Sequence, residues 1–437
     1  MVTLFNTEMP FPLPTEIVVC VLESFVAFPD VMDTSATLYS DGFLPLNDIK
    51  RSIQSLSLLV LVCKQWNAIC TPNLYQCLVV DDSTVTDALL STLQISRTTP
   101  NTLGRLQPLG FLTRHMIIAL SDRPAHSREA EPLEIRIFQR FGDLGKLAGL
   151  LPHLQILSIS IRIPAILGLP MPHYGRDFAA SIARTSAQSL RRLFLYQNPV
   201  VLFSRRELRT LLESTPNLVT LIGVGCIGCP VALPYLPKLK YLTVNSEAVH
   251  CDGAEHKGDQ TPSLDHVHFG PIRSSTSLVH VLSAWGPKLT YVSLDLRMPV
   301  EPNSPPMNPF DCPQILGSLC PNISHLEIFI TSWHGFPQCD WLPSIECLSV
   351  HLNFSGATVT DICRTLASIH LPSLKVVRFL DPEMDEWLAS PQSGNVDGAW
   401  SPLLEIAFRV VNHNGHQLPL GAALSMQAHY LLSSTHN

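Results

Sequence analysis

One phrase recurs along the chain and limits what the chain can fold into. It reads Pro, any residue, Leu, two variable residues, Leu, one variable residue, then an aliphatic or aromatic residue. It begins as Pro152-His-Leu154-Gln-Ile-Leu157-Ser-Ile159 and returns as Pro216-Asn-Leu218-Val-Thr-Leu221 and Pro237-Lys-Leu239-Lys-Tyr-Leu242-Thr-Val244. Ten copies place their first apolar residue at 154, 190, 218, 239, 264, 289, 323, 345, 374 and 403, with intervals of 21 to 36 residues. The copy at Leu190 lacks the proline, and the copy at Leu403 is weaker. In a strand the side chains alternate, so Leu157 and Ile159 point one way while Ile156, Ser158 and Ser160 point the other. The proline is expected to set the chain extended ahead of each strand. Helical spacing fills some intervals, as at 203–214 with Leu208, Leu211 and Leu212, and at 358–369 with Ile362, Leu366 and Ile369. Strand, return helix, strand is a parallel coil in which each unit buries its apolar edge on its neighbours.

Phrase and spacing together resemble the leucine-rich-repeat family in a degenerate form. The resemblance implies an α/β fold over 110–420, an irregular solenoid with a parallel sheet and outer helices. Asn198, Cys226 and Asn353 stand eight residues after a first leucine, where such a side chain can satisfy backbone groups in the next turn. The polar or proline-rich stretches 122–132, 245–262, 298–313 and 390–401 read as loops. An ordinary α/β domain whose strands happen to follow prolines would require ten coincidences at restricted spacing.

Ahead of the repeats, residues 13–25 read Leu-Pro-Thr-Glu-Ile-Val-Val-Cys-Val-Leu-Glu-Ser-Phe. Pro14, Thr15 and Glu16 suit a helix entry, and Ile17, Val21, Leu22 and Phe25 fall on one helical face. A second apolar phrase runs from Leu56 to Asn67 and ends Val62-Cys63-Lys64-Gln65-Trp66, with apolar residues on nearly all sides. It is therefore expected to form a helix buried on more than one face, closed by Pro72. These two phrases resemble an F-box. The resemblance implies a small helical bundle over 10–80, with an inserted loop at 27–55, that docks on the Skp adaptor of a cullin-based ubiquitin ligase. The matching docking positions are Leu13, Pro14, Ile17, Val21, Leu22, Val62, Cys63 and Trp66. The alternative is that these helices only cap the open apolar end of the repeat array.

Composition removes other classes. The chain is 46% hydrophobic and 15% charged, with a net charge of -7 and no basic run. Nucleic acid and anionic membranes, which call for clustered Lys and Arg, are not expected partners. The first residues carry Glu8, no Lys or Arg and no continuous apolar run, which argues against a signal peptide. The most apolar run, 56–63, is far below the roughly 20 residues that span a bilayer. A cytoplasmic or nuclear protein with reduced cysteines is the expectation. Cys226-Ile-Gly-Cys229 has metal-knuckle spacing without a second pair, and His250, Cys251 and His256 offer no partner spacing. Nucleophile-elbow, zincin, phosphate-loop and dinucleotide motifs are absent from the sequence. The expectation is a non-catalytic protein without metal or cofactor.

Partner selection is expected on the solvent face of the parallel sheet. Alternation places Arg192, Phe194, Tyr196, Tyr241, Thr243, Asn245, His266, His268, Tyr291, Ser293, Asp295, His325, Glu327, Cys347, Ser349, His351 and Arg378 there. Tyr196, Tyr241, His266, His268, Tyr291, Asp295, His325 and His351 are the residues expected to touch an unknown target protein. The sequence thus points to a substrate-recognition adaptor of a Skp–cullin–F-box ligase, or to a repeat scaffold with a helical cap.

Overall fold

Seven copies of the phrase open on the same hydrogen bond. The N–H of the first apolar residue donates to the carbonyl three residues back: Leu154 to Leu151 at 3.3 Å, Leu218 to Thr215 at 3.1 Å, Leu239 to Leu236 at 3.2 Å and Leu264 to Thr261 at 3.2 Å. Leu289 bonds Gly286 at 3.1 Å, Ile323 bonds Cys320 at 3.2 Å and Leu374 bonds Leu371 at 3.1 Å in the same way. The proline is therefore the second residue of a tight turn, the position its fixed φ suits. It bends the chain into the strand, which corrects the extended role expected from sequence.

The structure is a computed structural model. It describes residues 46–81, 83–99, 107–121, 133–162, 175–196, 203–224, 233–244, 260–270, 275–296, 311–330, 344–352, 371–381, 409–412 and 415–416. The chain divides into two compact units, one of Met1–Gly168 with Tyr174–Leu190 and one of Leu169–His173 with Arg191–Asn437.

The first unit contains α1 (Leu46–Leu59), α2 (Lys64–Leu74), β1 (Cys77–Val80), α3 (Ser83–Thr98), β2 (His115–Ser121), α4 (Leu133–Ala148), β3 (Ile156–Arg162) and α5 (Arg176–Thr185). β1, β2 and β3 pair in parallel, with Cys77 beside His115 and His115 beside Ile156. The ladder therefore starts at Cys77, well before residue 110. The leucine phrase is missing ahead of β1 and β2, so these two strands carry no repeat signature in the sequence. α4 and α5 meet through Phe141 and Phe178, whose rings pack edge to face at 6.3 Å. Ile49 and Leu56 of α1, Cys70 of α2, Cys77 of β1 and Ile117 of β2 form one buried cluster, with Trp66 packed against it. Burial in that apolar cluster pushes the Cys77 thiol up to about 12.

Three expectations for this region are corrected. Residues 46–55 are helical within α1, so they do not belong to an inserted loop. Residues 56–67 are not one helix: α1 stops at Leu59, Cys63 is extended, and α2 starts at Lys64. Leu58 near the end of α1 and Leu61 and Val62 in the turn are exposed at 68%, 79% and 60%, where burial on several sides was expected. Pro72 lies inside the last turn of α2. Its missing N–H falls where the helix is about to end, which keeps the penalty local.

The second unit contains β4 (Arg192–Tyr196), α6 (Arg205–Ser214), β5 (Thr220–Val224), β6 (Tyr241–Val244), β7 (His266–Phe269), α7 (Ser275–Trp285), β8 (Tyr291–Asp295), α8 (Asp311–Leu319), β9 (His325–Ile330), β10 (Cys347–Leu352), β11 (Val376–Phe379) and β12 (Arg409–Val411). All nine strands pair in parallel in chain order. One carbonyl at each strand mouth accepts two N–H groups from the next repeat. Val219 accepts from Lys240 and Tyr241, Lys240 from Asp265 and His266, Asp265 from Thr290 and Tyr291, and Thr290 from Ser324 and His325. α6 begins on a capping box in which Ser204 Oγ accepts from the Glu207 N–H and the Glu207 carboxylate accepts from the Ser204 N–H. α8 starts at Asp311, so the last three residues of the loop expected at 298–313 are helical.

The leucine positions of the phrase make the core. Leu218, Leu239, Leu264, Leu289, Ile323 and Ile345 form one buried row, and Leu221, Leu242, Val267, Val292, Leu326, Leu348 and Val377 form the next. The tenth copy is corrected in register, because Arg409 stands beside Val376 and the strand begins six residues after Leu403 rather than two. Gly223 shows why one apolar position in the β5 copy is empty. Its φ is +82°, a Cβ there would lie 1.8 Å from the Leu195 carbonyl oxygen, and the β5–β6 register slips at this point.

Leu348→Ala is expected to destabilise the protein by about 2–5 kcal/mol through the cavity it leaves. Leu61→Ala, at an exposed position, is expected to stay within about 0.5 kcal/mol. Chemical denaturation of the two variants beside the parent chain measures both.

Candidate functional site

Strand alternation sends one set of side chains inward and the other to the outward face, where the shared register lines them up in rows. The first row runs Thr220, Tyr241, His266, Tyr291, His325, Cys347, Val376 and Arg409. Its middle is a continuous row of rings. Tyr241 and His266 have ring centres 4.5 Å apart, His266 and Tyr291 stack at 4.9 Å, and Tyr291 and His325 stack at 6.0 Å. Side chains beside the row set the imidazoles: His266 Nδ1 lies 2.8 Å from Asp265 Oδ1, and His325 Nδ1 lies 2.9 Å from Ser324 Oγ. Burial, then the neighbouring His266, hold His325 below the ordinary histidine range.

The second and third rows are polar but largely buried. The second is Thr243, His268, Ser293, Glu327, Ser349 and Arg378, and the third contains Asp295, Phe329 and His351. His268 Nδ1 and Ser293 Oγ are 2.7 Å apart. Glu327 is the hub: its Oε2 accepts the Tyr291 hydroxyl and its Oε1 lies 3.0 Å from His351 Nε2. The other imidazole nitrogen, His351 Nδ1, faces Asp381 Oδ1 at 3.8 Å. Phe329 stacks on His351 at 4.0 Å with planes 7° apart and meets His268 edge-on at 5.6 Å.

Charge follows from these contacts. Burial alone would raise Glu327, but hydrogen bonds from His351 and Tyr291 hold it below the usual carboxylate range. Burial alone would lower His351, yet Asp381 and Glu327 raise it above the usual imidazole range. Burial and then the Glu327 charge push the Tyr291 hydroxyl far up, so it remains a donor. The Cys347 thiol is raised by burial, which leaves it a poor nucleophile.

The residues expected to meet a target separate into two groups. Tyr241, His266, Tyr291, His325 and His268 sit together with at least part of each residue accessible. Asp295 and His351 are buried at 7% and 4% exposure, so they support the face rather than meet solvent. Arg192, Phe194, Ser293, Glu327 and Ser349 are likewise buried, which corrects the picture of a uniformly solvated face. Strand alternation fixes direction but not what stands above a row. Tyr196 lies in β4. Phe329 and Asp381 were missed: alternation alone would have found Phe329, whereas Asp381 follows β11 and reaches His351 only through the fold.

Of the docking positions, Leu13, Pro14, Ile17, Val21 and Leu22 lie outside the described residues, as do Asn198, Cys226, Cys229, Asn245, His250, Cys251, His256 and Asn353. Cys63 is exposed beside Leu61 and Val62, while Trp66 packs on the α1–α2 cluster. Among the described residues no group of three or more His, Cys, Asp or Glu side chains could hold a metal ion. No helix among them is long and apolar enough to cross a membrane.

The fold and this face define a parallel-sheet repeat protein of α/β type, arranged like a leucine-rich-repeat solenoid. Neither a protein-family model nor a curated protein matches the chain. Among solved structures it is similar to the leucine-rich repeat-containing protein LegL7 from Legionella pneumophila, at 15% identity and a TM-score of 0.39, over 64% of this chain and 92% of that one. The strand register, not that likeness, carries the repeat assignment.

Tyr291→Phe leaves Glu327 Oε2 without its donor and is expected to cost about 1–3 kcal/mol. Tyr241→Phe removes a hydroxyl that makes no hydrogen bond among the described residues and is expected to change stability by less than about 0.5 kcal/mol. Equilibrium denaturation distinguishes them.

Proposed function

We propose that the chain is a non-catalytic adaptor that binds a target protein on the ring row of its second unit. In the finer form of this reading, it docks on the Skp adaptor of a cullin-based ubiquitin ligase through its N-terminal phrases. The observation that carries the finer form is the exposure of Leu58, Leu61, Val62 and Cys63 within the phrase that resembles an F-box. A cluster of large apolar side chains facing water is a surface suited to a protein partner. The target arm rests on the accessible Tyr241, His266 and His325, whose flat rings offer contact area with polar edges and lose little side-chain freedom on binding. The adaptor itself performs no chemistry in this reading. It raises the effective concentration of the target beside the ligase.

One observation favours a second reading. α1 and α2 share a buried cluster with β1 and β2, so the helical pair also covers apolar surface at the start of the ladder. A cap and a dock can coexist, since the cap uses Ile49, Leu56, Trp66 and Cys70 while the dock uses Leu58, Leu61 and Val62.

The test is affinity capture of the whole chain with a purified Skp adaptor. Leu61→Asp with Val62→Asp, both at exposed positions, is expected to weaken Skp capture by about 30-fold or more, as loss of a hot spot does. Binding that is absent in the parent chain, or unchanged in the variant, would sink the docking reading and leave the cap. Tyr241→Ala with His325→Ala is expected to remove target proteins while Skp capture persists. Trp66 is unsuitable for this purpose, because its substitution disturbs the cluster it packs on.

A further inference from the structure

His351 lies between two carboxylates, one within hydrogen-bond distance and one at ion-pair distance, and only the imidazolium is attracted to both. Its Nε2 faces Glu327 Oε1 at 3.0 Å and its Nδ1 faces Asp381 Oδ1 at 3.8 Å. A neutral imidazole has one N–H and one lone pair, so it can donate to one of these carboxylates only and must turn a lone pair toward the other. The imidazolium has an N–H on each side, donating to Glu327 and making a charge contact with Asp381. Phe329 lies flat against the ring at 4.0 Å, an arrangement that also favours the cation.

Position makes this more than a local pair. His351 stands on β10, Glu327 on the neighbouring β9, and Asp381 on the segment after β11. Glu327 passes the connection on, since its second oxygen takes the Tyr291 hydroxyl from β8 and Tyr291 is a member of the ring row. We propose that His351 is a protonation-dependent latch: charged, it ties β9, through Glu327, to Asp381 in the segment after β11, and loss of its proton leaves it an N–H for only one of the two carboxylates and so loosens that tie. The latch does not depend on the ligase reading.

The other titratable and charged groups nearby do not undo this. β9 contributes Glu327, β8 contributes Tyr291 and Asp295, β7 contributes His268 toward Glu327, β10 contributes Cys347, and β11 contributes Arg378. Arg378 carries positive charge on the same face and opposes a second cation, but the two carboxylates stand on the imidazole itself. His351 is accordingly raised and Glu327 lowered. The sign is then fixed on both sides. The raised His351 contributes stability that is complete below its ordinary 6.5 and is lost as pH rises through its folded value. The lowered Glu327 contributes stability present above its ordinary 4.5 and lost as pH falls through its folded value. The latch is therefore closed between the lowered Glu327 value and the raised His351 value, and it opens as pH rises past the latter.

The experiment is a histidine-detected NMR titration of the whole chain, with the His351 resonance assigned by its loss in His351→Gln. Melting temperature is followed in parallel across the same pH range. A His351 midpoint above 6.5, and a melting temperature that falls by several degrees more in the parent chain than in His351→Gln as pH rises, are expected. Should His351→Gln fail to fold, Asp381→Asn removes one carboxylate while keeping the Glu327 contact, and it should identify His351 as the resonance whose midpoint drops. A midpoint at or below 6.5 overturns the latch, and so does one untouched by Asp381→Asn or an equal pH slope in parent and His351→Gln.

Discussion

The shared carbonyl at each strand mouth is the interaction on which the second unit depends. Val219, Lys240, Asp265, Thr290, Ser324 and Glu346 each present one oxygen to two successive N–H groups of the following repeat. That double acceptance fixes where every strand starts relative to its neighbour. A slip of one residue would exchange the leucine rows with the ring row, placing Tyr, His and Glu side chains in the core. The proline turns deliver the chain to this point with a constant geometry. Side chains beside the turns reinforce it, as when Ser263 Oγ donates to the Pro237 carbonyl at 2.6 Å and Asn322 Nδ2 donates to the Pro287 carbonyl at 2.6 Å.

The outward face is thereby split by depth. Residues nearest the strand mouths form the accessible row of rings, and residues farther along form a buried polar cluster around Glu327. A buried carboxylate is tolerated only when its oxygens are satisfied, and Tyr291 and His351 supply both partners. The cluster fixes the positions of Tyr291, Phe329 and His351, so the ring row above it is presented by groups that are themselves held. Such a surface loses little freedom on meeting a partner, which favours binding.

In the first unit, α1 and α2 illustrate how one apolar phrase can serve two ends. Within α1, Leu56 is buried and Leu58 exposed on opposite faces, and the break at 60–63 adds the exposed Leu61 and Val62. Within a continuous helix these residues would surround the axis. The break places Leu61 and Val62 at an exposed tip beside Leu58. Helical periodicity alone does not reveal this, because Val60, Leu61 and Val62 carry no helix-breaking residue.

The repeat was legible in the sequence because burial in a stacked strand demands the same residue type at the same step each time. Leu218, Leu239, Leu264 and Leu289 announce their strands without any knowledge of neighbours. Direction was legible as well, since alternation separates Tyr241, His266, Tyr291 and His325 from the leucines. Depth was not. Asp295 and His351 read like Tyr241 in sequence but lie buried, because what covers a side chain is decided by distant residues. Nor could the chain's order reveal Asp381 against His351, the slip at Gly223 or the early strand at Cys77, which lacks the phrase. Periodicity in this protein is a local consequence of the backbone and is written in the sequence; the joining of His351 to two carboxylates from other segments is a product of tertiary structure, because it exists only once register has brought the strands side by side.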